Sequence, residues 1–303
     1  MAKKEKEKDE ASRAINKFRV SDAVMMIVIA LLCVTCIAPF FHLLSKSISS
    51  NAMVMAKKVY FLPKEITFAA YRSIFEDGTY VYSFVYSAIV TLVFTLLGML
   101  ACVCAAYPLS KKRLKGKYFF TFLLMVPMYF GAGLIPTYLI YKQFHLLDTV
   151  WVLILPLIYS PYNMLIMKTY FLSSIPDTLE EAAFLDGASN FQILTKVVLP
   201  LSKPIIATLS LFYAVGRWNS YADNMYYIRT DKLKMVQYKL YQMVSAAQEA
   251  TSATLNEAQT GVTSTPEVLQ AAAVMFVTIP IICIYPFLQK YFVKGVMVGA
   301  VKG

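Results

Sequence analysis

Ser173 to Pro204 reads SSIPDTLEEAAFLDGASNFQILTKVVLPLSKP, a polar stretch set between apolar runs, and its punctuation decides how the rest of the chain is read. It carries too many charges to lie in lipid, and its signals are too regular for a slack connector. Pro176 suits the first position of a helix, where a missing N–H costs nothing. Asp177, Glu180 and Glu181 place negative charge in the first turns, as the helix macrodipole favours. Asp186-Gly187 predicts the end of that helix, because glycine readily takes the left-handed conformation that stops one. Ser189-Asn-Phe-Gln192 reads as a capping box that opens a second short helix, running to about Leu199 just before Pro200. On the first helix Leu179, Ala182, Ala183 and Asp186 recur at three- and four-residue spacing, and the small alanines let another surface approach closely.

The composition around this stretch is that of a membrane protein. Of 303 residues, 58% are hydrophobic and only 16% charged, and the mean hydropathy is +0.56; a soluble domain of this length would carry more charge. The formal net charge of +11 does not point to nucleic acid. The cations lie beside apolar segments, as orientation in a bilayer demands, and no arginine-rich face or nucleic-acid motif appears. Cys33, Cys36, Cys102, Cys104 and Cys283 all fall inside apolar runs. Cys33-x-x-Cys36 has a redox or metal spacing, but within a lipid-embedded helix it reads as small apolar filler, and no disulfide framework is implied.

The chain predicts an all-α integral membrane protein with six transmembrane helices. Residues 1–20, mixing lysines with acids, read as a solvated N-terminal segment without the features of a cleaved signal; residues 21–303 form the transmembrane domain. From Ala23 to Ser45 there is no Lys, Arg, Asp or Glu, enough to cross about 30 Å of hydrocarbon. A polar connection follows from Lys46 to Asp77. The second span lies within Gly78 to Ser110, with its Tyr- and Ser-rich beginning expected at the interface. The third runs from about Tyr118 to Ile140, where Pro127 and Pro136 predict a kink or a pocket, and the fourth from about Thr149 to Met167. The fifth has only Pro204 to Gly216 uncharged, so Lys203 and Arg217 are expected to snorkel to the two interfaces. A polar segment from Tyr221 to Pro266 contains a helix-like stretch near Lys234 to Ala258 and a Ser/Thr-rich tip around Gly261. The sixth span runs from Val268 to Leu288, ahead of a tail at residues 290–303.

Six spans place both termini on one side, and basic residues choose which. With the N-terminus inside, Lys111 to Lys117 puts five cations within seven residues on the cytoplasmic side, while the outer cations are spread over the long loops 46–77 and 221–266, which count least. This arrangement also puts the 173–204 loop in the cytoplasm of a multi-pass membrane protein.

Catalytic signatures are missing from the sequence. There is no Gly-x4-Gly-Lys-Ser/Thr phosphate loop, no His-Glu-x-x-His and no Cys/His cluster at metal spacing. The expectation is a non-catalytic subunit without a cofactor of its own. Arg217-Trp218-Asn219-Ser220-Tyr221 gathers a charge, two aromatic rings and an amide at the outer end of the fifth span. Such groups suit a sugar ring, and they also suit an interfacial aromatic belt with a snorkelling arginine. Asn163 in the fourth span is either a helix–helix hydrogen-bonding group or a ligand contact.

Glu181-Ala182-Ala183, Gly187 and, after nine residues, Val197-x-Leu199-Pro200 resemble the EAA loop of binding-protein-dependent ABC importer permeases, with valine where that family usually has isoleucine. The Arg217–Tyr221 segment and the ending KGVMVGAVKG are similar to the carbohydrate, maltose-transporter-like class, in particular its branch for complex oligosaccharides. The resemblance implies the type I ABC importer permease fold and a cytoplasmic coupling helix that docks into a cleft of an ATPase. In that helix and loop, Glu181, Ala182, Ala183, Asp186, Gly187, Leu199 and Pro200 would be the coupling residues. It further implies a heterodimer with a second permease, two ATPase subunits that bind ATP-Mg, an extracellular sugar-binding protein facing loops 46–77 and 221–266, and a carbohydrate cargo. Asn163, Arg217, Trp218, Asn219 and Tyr221 are then candidates for the substrate path. The alternatives are a permease of the same kind for a non-sugar solute, and a secondary transporter. The latter would show intramembrane Asp, Glu or His for ion coupling, which these spans do not clearly show.

Overall fold

The computed structural model describes residues 20–253 and 266–300. Among them the protein is all-helical. No strand forms, and the one isolated β-bridge pairs Ser49 with Ile66. In chain order the α-helices are α1 (Val20–Ser47), α2 (Asn51–Met55), α3 (Ala69–Glu76), α4 (Thr79–Ser110), α5 (Lys117–Tyr129), α6 (Leu134–Gln143), α7 (Pro161–Ser174), α8 (Asp177–Leu185), α9 (Asn190–Ile193), α10 (Lys203–Asn219), α11 (Ala222–Tyr227), α12 (Val236–Ala253) and α13 (Pro266–Ala300). The expected N-terminal segment and the tip at Gly261 lie outside the described residues.

Two compact units divide the chain. The first comprises the described residues up to Ala70 together with those from 266 to Ala272. Its long helix α1 is apolar almost throughout, and its end is anchored by short polar side chains. Ser45 Oγ donates to Phe61 O (2.6 Å), Ser49 Oγ donates to Ser45 O (2.6 Å) and accepts from Lys64 N (3.0 Å), and His42 Nδ1 lies 2.7 Å from Tyr60 O. Ser45, Ser47 and Ser49 are buried, as hydroxyls can be when they are hydrogen-bonded.

The second unit holds the described residues from Tyr71 to 253 and from Ala273 onward, and is organised around α4. This helix runs unbroken from Thr79 to Ser110, its Tyr- and Ser-rich beginning included. It packs against α7 and α10. Val90, Phe94, Cys102 and Ala106 of α4 meet Met164, Met167 and Phe171 of α7 and Leu209 and Tyr213 of α10 in one core. The approach of α4 to α10 is close enough to require glycine: a Cβ at Gly98 would sit 2.8 Å from the Tyr213 ring.

Two expected spans are bent, and another follows a sharp turn. The third breaks into α5 and α6 at 114°. The break falls at Phe130–Gly133, between the two prolines that were expected to kink it, where Gly133 takes φ +82°. Pro127 lies within the last turn of α5 and Pro136 in the first turn of α6, where a missing N–H is tolerated. The fourth begins with 3₁₀ turns at Val150–Leu153 and Leu155–Leu157 and turns by 46° into α7, which continues past the expected end at Met167 to Ser174. The fifth, α10, lies at 83° to the helical run Asn190–Leu201 before it. Two helices, Ser21–Ser47 and Thr79–Ser110, are therefore long and apolar enough to cross a membrane by themselves, and up to five crossings result if each bent pair counts as one. The apolar part of α13, Glu267–Cys283, is shorter. The backbone of α13 carries on through the expected tail as far as Ala300.

Candidate functional site

The polar stretch folds as two short helices joined by a closed turn. Pro176 stands one place earlier than expected, as the N-cap of α8, and Asp177 and Glu180 supply the negative first turn. The other end of α8 is a Schellman motif. Gly187 takes φ +83°, Gly187 N–H donates to Phe184 O (3.0 Å) and Ala188 N–H to Ala183 O (3.0 Å), so the last carbonyls of the helix are satisfied. Ser189 then starts α9 with a complete capping box: its N–H donates to Gln192 Oε1 (2.8 Å) and its Oγ accepts from Gln192 N–H (3.3 Å).

The second helix does not stop before Pro200. It widens into a π turn at Leu194–Val198, Leu199 N–H reaches back to Leu194 O, and helix resumes at Leu199–Leu201. Proline in a regular helix clashes with the carbonyl four residues earlier and leaves it without its donor. The five-residue π bond just before Pro200 re-spaces the ladder so that the chain can stay helical.

Of the residues expected to couple, Glu181, Ala182, Asp186, Gly187 and Pro200 are exposed, while Ala183 and Leu199 are half-buried against the core of the second unit. Around the exposed ones lie apolar side chains that periodicity did not single out: Leu185 is 86% exposed, Phe191 73% and Phe184 57%. Large apolar groups left in water on a charged loop are a feature of interaction surfaces.

The basic loop after α4 holds this hairpin in place. Lys111 Nζ pairs with Glu180 Oε1, both side chains being largely buried, and also lies 4.3 Å from the Tyr107 ring centroid. Lys112 Nζ pairs with Asp177 at 2.6 Å. Arg113 donates to Asn190 Oδ1 and lies over the Phe184 ring at 5.7 Å. The Lys112–Asp177 hydrogen bond, and then the opposite charges of the pair, hold the Asp177 carboxyl below its usual range and push the Lys112 ammonium up. Between loop and hairpin opens a cleft of about 440 Å³, whose lining includes Lys111, Arg113, Glu180, Glu181 and Phe184. The cations of this loop are thus partners of the acids in the first turn of α8.

The candidates for the substrate path each have partners within the fold. Arg217 does not snorkel. It is 2% exposed, pairs with Asp223, donates through Nη1 to Leu153 O (2.8 Å) and lies against Phe94. A buried guanidinium needs such a set of partners to offset its desolvation, and Asp223 in the following turn is the partner that sequence spacing alone did not reveal. Trp218 is buried edge-on against Phe84 (5.3 Å). Asn219 Oδ1 accepts from Gln237 Nε2 (3.3 Å), and Tyr221 stacks on Tyr241 (4.9 Å). Asn163 is buried in the first turn of α7, where its N–H donates to Ser160 Oγ (3.3 Å).

A second polar knot joins the 142–148 link to the segment after α11. Asp148 Oδ1 accepts from the N–H groups of Arg229 and Thr230 (both 2.9 Å), and Oδ2 accepts from Thr230 Oγ1 (2.7 Å). The bonds from Thr230 chiefly, with that from Arg229, hold this carboxyl below the ordinary range.

The whole chain has known relatives. The family described as binding-protein-dependent transport system inner membrane component matches residues 14–298. Protein LplC of Bacillus subtilis is 37% identical over 267 residues, covering 88% of this chain and 90% of LplC. The polygalacturonan/rhamnogalacturonan transport system permease protein YtcP of the same organism is 36% identical over 287 residues, covering 95% of this chain and all of YtcP. Among solved structures, a chain of a bacterial ABC transporter involved in the import of the acidic polysaccharide alginate superposes with a TM-score of 0.80 at 32% identity, over 91% of this chain and 99% of that one.

Proposed function

Since the chain belongs to the family of binding-protein-dependent transport system inner membrane components, we propose that it is the permease subunit of an ATP-driven importer of oligosaccharides, working with a second permease, two ATPase subunits and an extracellular sugar-binding protein. The carbohydrate cargo is supported by full-length similarity to a polygalacturonan/rhamnogalacturonan permease and by likeness to a chain of an alginate importer. A secondary transporter does not fit a family that depends on a binding protein.

The observation that carries the mechanism is the doubly closed turn at Gly187, flanked by uncovered Leu185 and Phe191. A Schellman motif ends one helix and a capping box opens the next, so the angle between α8 and α9 is set before any partner binds. In this reading α8 is the cytoplasmic coupling helix. Glu181 and Ala182 face the ATPase, Leu185 and Phe191 fill apolar hollows in it, and the Lys111–Arg113 loop transmits the push of α8 to α4. Because α4 packs on both α7 and α10, movement of the hairpin would shift the helices that line the path. The six-span topology, with loops 46–77 and 221–266 outside, is supported by the pairings just described: the Lys111 loop meets the 173–204 hairpin, and the 142–148 link meets the 227–230 segment, each pair falling on one side.

Reconstitution tests this reading. The purified chain alone should not turn over ATP, and hydrolysis stimulated by a loaded binding protein should appear only with a second permease and an ATPase present. Stoichiometric hydrolysis by this chain, in a preparation free of ATPase, would sink it.

A further inference from the structure

A cleft of about 360 Å³ lies between the C-terminal end of α6, the 147–148 link and the segment that follows α11, within the range of small-ligand sites, roughly 300–1,000 Å³. Its lining combines rings and cations: Tyr138, Lys142, Asp148, Tyr226, Tyr227 and Arg229. The rings are held by one another. Tyr227 stacks on Tyr138 (6.3 Å) and meets Tyr141 and Tyr226 edge-on (5.0 and 6.2 Å). The only carboxylate in the lining is already engaged, since both Asp148 oxygens accept hydrogen bonds from residues 229 and 230. Among the described residues, neither the Lys142 ammonium nor the Arg229 guanidinium takes part in an ion pair. The pocket therefore keeps an excess of positive charge beside an aromatic platform.

We propose that this cleft is a subsite for an acidic sugar residue, with Lys142 and Arg229 binding the carboxylate and the tyrosine cluster taking the apolar face of the ring. The proposal rests on the carbohydrate-importer reading and adds the chemical class of the cargo. A planar carboxylate suits the guanidinium fork, and sugar rings present an apolar face to aromatic side chains while their hydroxyls meet the phenol oxygens. A neutral sugar offers the two cations hydroxyl oxygens to donate to, but no negative charge, so it lacks the charge-assisted share of the interaction. Asp148 has a positioning role: it fixes the backbone of Arg229, and through it the direction from which the guanidinium approaches.

The test uses the permease pair with its ATPases in nanodiscs, and compares equilibrium binding of trigalacturonate with that of neutral galactotriose. Lys142→Gln/Arg229→Gln should weaken trigalacturonate binding about tenfold or more, the loss of at least one charge-assisted hydrogen bond, and weaken galactotriose binding by a clearly smaller factor. Lys142→Arg/Arg229→Lys should retain binding of the acidic sugar, which guards against misfolding as the cause. Equal binding of trigalacturonate by the wild type and the glutamine variant, or no preference of the wild type for the acidic sugar, overturns the subsite. Uptake in proteoliposomes with the binding protein supplies two further outcomes. Equal loss of uptake for both sugars, traced to weaker association of the binding protein, would make the cleft a docking surface and overturn the proposal. Charge-dependent binding with no uptake of either sugar would overturn the importer reading and leave the subsite standing.

Discussion

At Gly187 the backbone sits at φ +83°, and a Cβ added there would meet nothing within 4 Å. The cost of a side chain is therefore torsional, about 1–3 kcal/mol, and must follow the left-handed preferences of the residue rather than its size. Gly187→Asn should keep most transport, because asparagine tolerates this conformation, while Gly187→Val should lose it. Both should be present in the membrane at near-normal amounts, and the valine variant should also fail to co-purify with ATPase. Normal sugar uptake by Gly187→Val would remove the turn from the mechanism. Glu181→Ala differs in kind: it removes an exposed charge without touching the turn, so uptake should fall while the fold of the hairpin, read by limited proteolysis, stays. Asp148 gives a pH-dependent case. Its folded-state pKa is lowered by the hydrogen bonds from Thr230 and Arg229, so the tether it forms is complete above the ordinary carboxylate value and is lost as pH falls through the lowered one. Protection of the Arg229 and Thr230 amides from hydrogen exchange, taken relative to their intrinsic rates, should thus be high at neutral pH and fall only in strong acid. In Asp148→Asn it should be low throughout, and equal protection in the two proteins would show that the tether contributes nothing.

Lys111–Glu180 is a contact between elements, linking the end of α4 to the first turn of α8, and its side chains are only 15% and 16% exposed. Removing one partner strands the other in a poorly hydrated place, a loss of about 1–3 kcal/mol per group. Lys112–Asp177 lies mostly in water, its side chains 80% and 60% exposed, and such pairs contribute little. A double-mutant cycle at Lys111 and Glu180, read as stimulated ATPase rate, should give a coupling energy of at least about 1 kcal/mol, whereas one at Lys112 and Asp177 should come out near additive. Strict additivity at the first pair would mean that the loop does not transmit. The α4–α10 contact makes a separate prediction. Gly98→Ala puts a methyl group into the Tyr213 ring, so it should lower thermal stability by about 1–3 kcal/mol in the manner of an overpacked core, and Tyr213→Leu should recover part of the loss. If Gly98→Ala were as stable as the wild type, the two helices would be further apart than described.

Over the whole molecule, the proposed sidedness is tested by single cysteines in a background from which the five native ones are removed. Cysteine at Lys115 or Ser189 should resist an impermeant thiol reagent in intact cells, and cysteine at Asp231, whose side chain is exposed, should react. The reverse pattern would put the hairpin on the side away from ATP. The same labels read out motion: if α8 drives α4, trapping the complex in its ATP-bound state should change reactivity at positions of α4 and α10 that face each other, and not along α1.

Much of this could be read before any coordinates, because it is written in local rules. Glycine at 187, the Ser189–Gln192 box and the acids of the first turn act over a few residues, and an uncharged run such as Ala23–Ser45 declares itself by length alone. Bends were only half legible: prolines marked the third span as irregular, but the break at Phe130–Gly133 and the π turn before Pro200 depend on how the freed backbone groups are satisfied by neighbours. What only the tertiary structure decided are the partnerships of charge. Arg217 and Asp223 lie six positions apart, Lys111 and Glu180 sixty-nine, and Asp148 and Thr230 eighty-two. An ionised side chain gives the same sign to a sequence reading whether it snorkels, orients the chain or is buried in a pair; its role is settled by what the fold brings within hydrogen-bond reach, because desolvation makes an unpaired charge costly and a partnered one tolerable.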